Sequence, residues 1–193
     1  MATVVSSTPF VPSSFEYDVF ISFRGEETRK NFTSHLYSAL CQNQILAYID
    51  EKDLKRGEEI SPALITTIQQ SKLSLVIFSK DYASSRWSLD ELVQILKCKK
   101  ERGQIVLPIF YYVDPSDIRH QRGSYGEAFV AHQKRFRHDG NKLEEWRNTL
   151  KEAADLFGFH LKDEKYTLAC NFKIELATNK GVIAFYLISM EIY

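Results

Sequence analysis

Hydrophobic positions along the chain alternate between two periods. Tyr17-Asp-Val-Phe-Ile-Ser-Phe23 is a short β-rich run and predicts a first strand. A stripe at Phe32, Leu36, Ala39 and Leu40 follows, with the spacing of one buried helical face. Ile45 to Ile49 predicts a second strand. Ser61-Pro62 offers an N-cap and a first-turn proline to a helix with Leu64, Ile65 and Ile68 on its apolar side. Leu73-Ser-Leu-Val-Ile-Phe78 is nearly continuous in apolar residues, which suits a strand covered on both faces. Next come a helix with Leu89, Leu92, Val93 and Leu96 on one face and a strand over Ile105 to Tyr111. Pro108 within that strand argues against a fully paired position. Amphipathic helices around Tyr125 to Phe136 and Leu143 to Phe157, then a short strand at Gly158-Phe-His-Leu161, complete the alternation.

Strands alternating with helices predict a parallel sheet joined by right-handed crossovers. The expected fold class is α/β, a flavodoxin-like three-layer sandwich on a five-stranded parallel sheet of order 2-1-3-4-5. In that order the loops after strands one and three flank a crevice at the carboxyl ends, where ligands bind. Those loops are Arg24-Gly-Glu-Glu-Thr28 and Ser79-Lys-Asp-Tyr-Ala-Ser-Ser-Arg-Trp87. A site is therefore expected between Arg24 and the stretch leading to Glu91.

Composition narrows the function classes. The 193 residues suit one domain with a modest extension, and 44% hydrophobic content supplies a core. Lys plus Arg and Asp plus Glu are both 25, so there is no basic excess of the kind a nucleic-acid binder shows. Cys41, Cys98 and Cys170 lie far apart without CxxC spacing, so neither a disulfide framework nor a metal site is expected. Residues 1–14 are rich in Ser, Thr and Pro and are expected to be disordered; they lack the pattern of a signal peptide. A reducing cytosolic or nuclear compartment is the expectation. The domain is expected over 15–161. Residues 162–193 form a divergent tail in which Cys170 to Leu176 alternates like a strand. The apolar stretch from Val182 to Tyr193 is too short for a membrane span.

Three stretches carry a family resemblance. They are Tyr17-Asp-Val-Phe-Ile-Ser-Phe-Arg-Gly-Glu-Glu-Thr-Arg29 with Phe32-Thr-Ser-His-Leu36, the loop Asp53-Leu-Lys-Arg-Gly57, and Ser84-Ser-Arg-Trp-Ser-Leu-Asp-Glu-Leu92. Pro108-Ile-Phe-Tyr111 and Val113-Asp-Pro-Ser116 extend the match. Together they resemble the plant-type TIR (Toll/interleukin-1 receptor) domain over most of 17–161. The resemblance implies an NAD⁺ glycohydrolase that acts as an oligomer in plant immune signalling. NAD⁺ is then a substrate, the nicotinamide–ribose bond is cleaved, the products are of ADP-ribose type, and no cofactor is needed. It also implies a catalytic role for Glu91 and substrate contacts from Arg24, Gly25, Lys55, Ser85 and Trp87. Self-association with itself and other TIR proteins falls to Ser34-His35 on the first helix and to the Asp53–Gly57 loop. The family arrangement Ser-x-x-Cys-x-x-Glu reads Ser85, Ser88, Glu91 here, so serine replaces the cysteine. No GxxxxGK[ST] loop and no leucine-rich repeat follow, which suggests a TIR-only or truncated form.

The residues themselves allow competing readings. A carboxylate suits an oxocarbenium-like state, since it stabilises positive charge developing on a ribose. Ser88-Leu-Asp-Glu91 also reads as a capping box, in which the glutamate reaches back to the helix start and gains from its dipole. Arg24 can pair with a pyrophosphate while Gly25 lets backbone approach it; a solvated arginine beside a turn glycine is the plainer reading. Trp87 suits either a ring-stacking role or an anchor under the loop. An association-only TIR module is the alternative function. A phosphoacceptor receiver domain of the same fold would need a carboxylate at the end of the first strand, where Ser22-Phe-Arg24 stands.

Overall fold

Each strand anticipated within 15–161 enters a single parallel sheet. The computed structural model describes residues 15–25, 28–49 and 60–161, with the backbone of two further strands at 170–177 and 182–189. Strand β1 is Tyr17–Phe23, and a π-helical turn at Arg29–Thr33 leads into α1, Ser34–Gln42. Then come β2 (Ala47–Ile49), α2 (Pro62–Gln69), β3 (Ser71–Phe78) and α3 (Arg86–Arg102). Beyond these lie β4 (Ile105–Tyr111), α4 (Pro115–His120), α5 (Gly123–Arg135), α6 (Gly140–Ala154) and β5 (Phe159–Leu161). The sheet order is β2-β1-β3-β4-β5, with every pair parallel. This is the flavodoxin-like order expected from the sequence.

Strand periodicity assigns the two faces. Val19, Ile21, Leu73, Leu75 and Ile77 point to the side of α1, where Phe32, Leu36 and Leu40 meet them. Phe20, Val76, Phe78, Val106 and Phe110 point to the other side and pack against α2, α3, α5 and α6. Successive side chains of a strand face opposite ways, so a run apolar at nearly every position needs a layer on both faces. Burying each such side chain contributes about 1.5–3 kcal/mol.

Pro108 fits because β5 begins late. The β4–β5 ladder starts at Ile109 opposite Phe159, so at Pro108 the strand is paired with β3 alone. Gly158 is the residue that lets the chain pass there. A Cβ on it would lie 2.6 Å from the Pro108 carbonyl oxygen and 2.9 Å from the Phe110 ring.

Helix α4 was not expected from the periodicity. It is only six residues long, and its signal is local. The Asp114 carboxylate accepts from the Ser116 amide at 2.8 Å, and Pro115 occupies the first turn. The strand expected at Cys170 to Leu176 is present as β6 (Cys170–Ala177), paired antiparallel with β7 (Val182–Ser189) in a separate hairpin. Residues 1–14 and the Asp53, Lys55 and Gly57 positions lie outside the described residues. Among the described residues no helix is long and apolar enough to cross a membrane.

Candidate functional site

The crevice forms where β1 and β3 end side by side. After Phe23 the chain turns through Gly25, whose φ of +107° is a conformation that side chains other than glycine's rarely adopt. The Gly25 carbonyl accepts from the Arg29 amide at 3.0 Å and so starts the helical segment. The Ser79 hydroxyl, just past β3, donates to the Arg24 carbonyl at 2.9 Å and ties the two loops together. Tyr125 on α5 donates to the Ser79 carbonyl at 2.9 Å from beneath.

Beyond Ser79 a 3₁₀ turn, Tyr82–Ser84, delivers the chain to α3. His132 on α5 fixes this turn, its Nε2 lying 2.8 Å from the Ala83 carbonyl. A carbonyl only accepts, so Nε2 carries the hydrogen. Burial lowers the pKa of His132 and keeps the ring neutral, although the bond to Ala83 and the charge of Asp90 work in the opposite direction.

Helix α3 starts earlier than the Ser88 capping box predicts. Ser85 is the N-cap: its backbone is extended (φ −98°, ψ 117°) and its hydroxyl accepts from the Ser88 amide at 3.3 Å. Ser88 is thereby the third helical residue, and Glu91 sits in the second turn rather than reaching back. That placement weakens the dipole argument, since the effect falls off within the first turn. It also gives the Glu91 side chain to the sheet.

There the carboxylate is held at both oxygens. Oε2 accepts from the Ser22 hydroxyl of β1 at 2.7 Å, and Oε1 accepts from the Trp87 indole Nε1 at 2.9 Å. Trp87 is one helical turn before Glu91, the i, i+4 spacing that stacks side chains along a helix. Ser22 also lies 2.9 Å from the Tyr82 hydroxyl, which is 3.1 Å from the Ser88 carbonyl. Ser22 has one hydrogen and gives it to Glu91, so the Tyr82 hydrogen is shared between Ser22 and the Ser88 carbonyl. Burial and the Glu91 charge push the Tyr82 pKa well above its usual value, which keeps that hydrogen in place. Ser22 and Tyr82 are 1% and 0% exposed, and Glu91 is 3% exposed.

The adjacent Asp90 is buried too, but points elsewhere. Its Oδ1 accepts from the Trp146 indole at 2.9 Å and pairs with Lys142 at 2.9 Å, while Oδ2 accepts from Arg86 Nε at 3.3 Å. This ties α3 to α6.

The structure thus gathers Glu91, Trp87, Ser85, Arg24 and Gly25 around the ends of β1 and β3. Trp87 packs against the core as an anchor, and its N–H serves Glu91. The Ser85 hydroxyl is engaged as a cap. Ser34 and His35 stand apart on α1, both exposed; the Ser34 hydroxyl returns to the carbonyls of Asn31 and Lys30 at 3.0 and 3.2 Å. Ser22 and Tyr82 were missed from the sequence. Their signal was the period of β1: Ser22 shares the face of Phe20, two residues earlier, and is a polar residue aimed into the α3 layer.

Comparison with known proteins agrees with this fold. The family model for the TIR domain matches residues 16–174, past the expected boundary at 161. Disease resistance protein RPV1 of Vitis rotundifolia is 51% identical over 165 residues, covering 86% of this chain. TMV resistance protein N of Nicotiana glutinosa is 47% identical over 146 residues, covering 76%. The chain spans only 12% and 13% of those proteins' own lengths. Among solved structures, the TIR domains of the activated Roq1 resistosome, which directly recognizes the pathogen effector XopQ, align with a TM-score of 0.71 and 44% identity. That alignment covers 77% of this chain and 90% of the other. The chain belongs to the TIR domain family, with plant disease resistance proteins as its relatives.

Proposed function

We propose that this TIR domain is an NAD⁺ glycohydrolase of plant immune signalling, active as an oligomer, with Glu91 as its catalytic carboxylate. The observation that supports it is the Glu91 carboxylate, buried at the crevice between β1 and β3 and held by Ser22 and Trp87. Cleavage breaks the bond between ribose C1′ and the nicotinamide nitrogen; the electron pair leaves with neutral nicotinamide. Positive charge then builds on the ribose, and an ionised carboxylate beside it lowers the barrier. Water adds to C1′ and loses a proton, giving ADP-ribose; attack by a group of the substrate gives a cyclic product instead. Arg24, Gly25, Lys55, Ser85 and Trp87 are the proposed substrate contacts, NAD⁺ being substrate with no cofactor. Ser34, His35, Asp53 and Gly57 are the proposed association residues, in a cytoplasmic or nuclear setting.

The experiment is nicotinamide release from NAD⁺ by concentrated protein, wild type against Glu91→Ala. Release by the wild type alone supports the reading. No release by either, with folding and assembly verified, refutes it. A TIR module acting only by association is the second reading, and one observation favours it: both Glu91 oxygens are engaged within the protein. His35→Ala, at an exposed position, is expected to lower the assembled mass in light scattering. Unchanged mass removes His35 from the association surface.

A further inference from the structure

We infer that Ser22 and Tyr82 are positioning residues for Glu91, a relay of two hydroxyls that fixes Oε2 and presents Oε1 to the substrate. The inference rests on the glycohydrolase reading of Glu91. Neither relay residue touches the crevice surface, since both are essentially unexposed, whereas Trp87 is only partly buried. Oε2 is therefore the inner oxygen and Oε1, beside Trp87, the outer one. A ribose hydroxyl or a water reaches Glu91 at Oε1, sharing that oxygen with the indole N–H or displacing it.

The relay has a second property. Ser22 and Tyr82 can each donate or accept, and the Ser88 carbonyl waits 3.1 Å from the Tyr82 hydroxyl. With Glu91 ionised, Ser22 donates to Oε2 and the Tyr82 hydrogen is shared between Ser22 and the Ser88 carbonyl. When Glu91 takes a proton onto Oε2, the order reverses: Glu91 donates to Ser22, Ser22 to Tyr82, and Tyr82 to the Ser88 carbonyl. Glu91 Oε2, Ser22 and Tyr82 each keep a partner among one another and the Ser88 carbonyl in either state, which lowers the cost of changing the protonation of a buried carboxyl. The attacking water sheds its proton to Oε1, the outer oxygen, while Ser22 and Tyr82 hold Oε2 in place.

Both residues act through Glu91, so their effects differ from those of a residue that merely supports the fold. Ser22→Ala removes the donor to Oε2. We expect kcat for nicotinamide release to fall about 10–100-fold with KM little changed. The acid limb of the kcat/KM profile should move to higher pH, because a donor to the ionised form has been lost. Tyr82→Phe keeps the buried ring and is expected to lower kcat about 3–10-fold. In the Ser22→Ala background, Tyr82→Phe should add little, since its path to Glu91 is already cut.

The test is steady-state nicotinamide release across pH for the wild type, the two single variants and the double variant. Each is measured at a concentration where light scattering shows equal assembly and melting curves show folding. Lowered kcat, a raised acid limb and non-additive effects support the relay. Wild-type release together with unshifted acid limbs, or with fully additive losses, overturns it and leaves the glycohydrolase reading standing. Absence of release by the folded, assembled wild type overturns both.

Discussion

Asp90 and Glu91 follow one another on α3; both are buried, at 6% and 3% exposure, and each accepts an indole N–H at 2.9 Å. Among the described contacts, their other partners differ in kind. Trp146, Lys142 and Arg86 can only donate to Asp90, so every oxygen position there demands an acceptor. Ser22 beside Glu91 is a hydroxyl, backed by a second hydroxyl and a carbonyl, and can reverse its direction. One carboxylate is surrounded by donors alone and joins α3 to α6. The other sits where a change of protonation is accommodated. Two neighbouring acids of similar burial are thus divided by their partners into a structural group and a candidate for chemistry.

Changes to these partners can break or sharpen the contrast, and the largest expected effect on stability is at Asp90. In Asp90→Asn the amide NH₂ must face a donor whichever way it turns. Breaking a buried pair is costly, but Arg86 and Lys142 are 19% and 29% exposed and recover some hydration. We expect a loss of about 2–3 kcal/mol, or roughly 5–10 °C in melting temperature. A melting point equal to wild type would erase the distinction between the two acids. Trp146→Phe is next. It removes one donor to Asp90 and part of a fully buried ring, and should cost about 1–3 kcal/mol in a denaturant titration. Trp87→Phe removes the matching donor from Glu91, but at a partly exposed ring; about 1 kcal/mol or less is expected. A larger loss there than at Trp146 would reverse the assignment.

The smallest effect concerns pH. Neutral His132 holds Ala83, and its pKa lies below the usual histidine value of 6.5. The unfolded chain therefore binds a proton first as pH falls. His132 contributes its stability above about 6.5, and that contribution is lost as pH falls through the lower folded value. Melting temperature should thus drop between pH 7 and pH 5 by more in the wild type than in His132→Gln, whose amide keeps a donor for Ala83. Equal slopes would mean that His132 does not titrate in this range.

Much of the fold was legible because its signals are local or periodic. Leu73 to Phe78 could be read as a doubly covered strand, and Ser61-Pro62 as a helix start, without knowing any distant contact. The cap of α3 was misread for a definite reason. Ser85 and Ser88 are both serines able to cap, and Glu91 stands three residues after Ser88, so a second box overlaps the true start. Only the extended backbone at Ser85 decides between them. The partners of the two acids were not legible, since they are nonlocal. Ser22 is 69 residues from Glu91, and Trp146 is 56 from Asp90. Period and composition place Ser22 on a face of β1 but do not say which helix covers it.

The most direct test of the account is Glu91→Gln, measured for melting temperature and nicotinamide release on the same preparation. The amide can accept from Trp87 and donate to Ser22, with Ser22 turning to Tyr82 and Tyr82 to the Ser88 carbonyl, so each of these hydrogen bonds is kept. The account predicts a melting temperature within about 2 °C of wild type and a loss of release of about 10³-fold or more. Release near the wild-type rate from the folded variant would contradict the assignment of Glu91. A fall in stability as large as that of Asp90→Asn would show that Glu91, like its neighbour, is there to hold the fold.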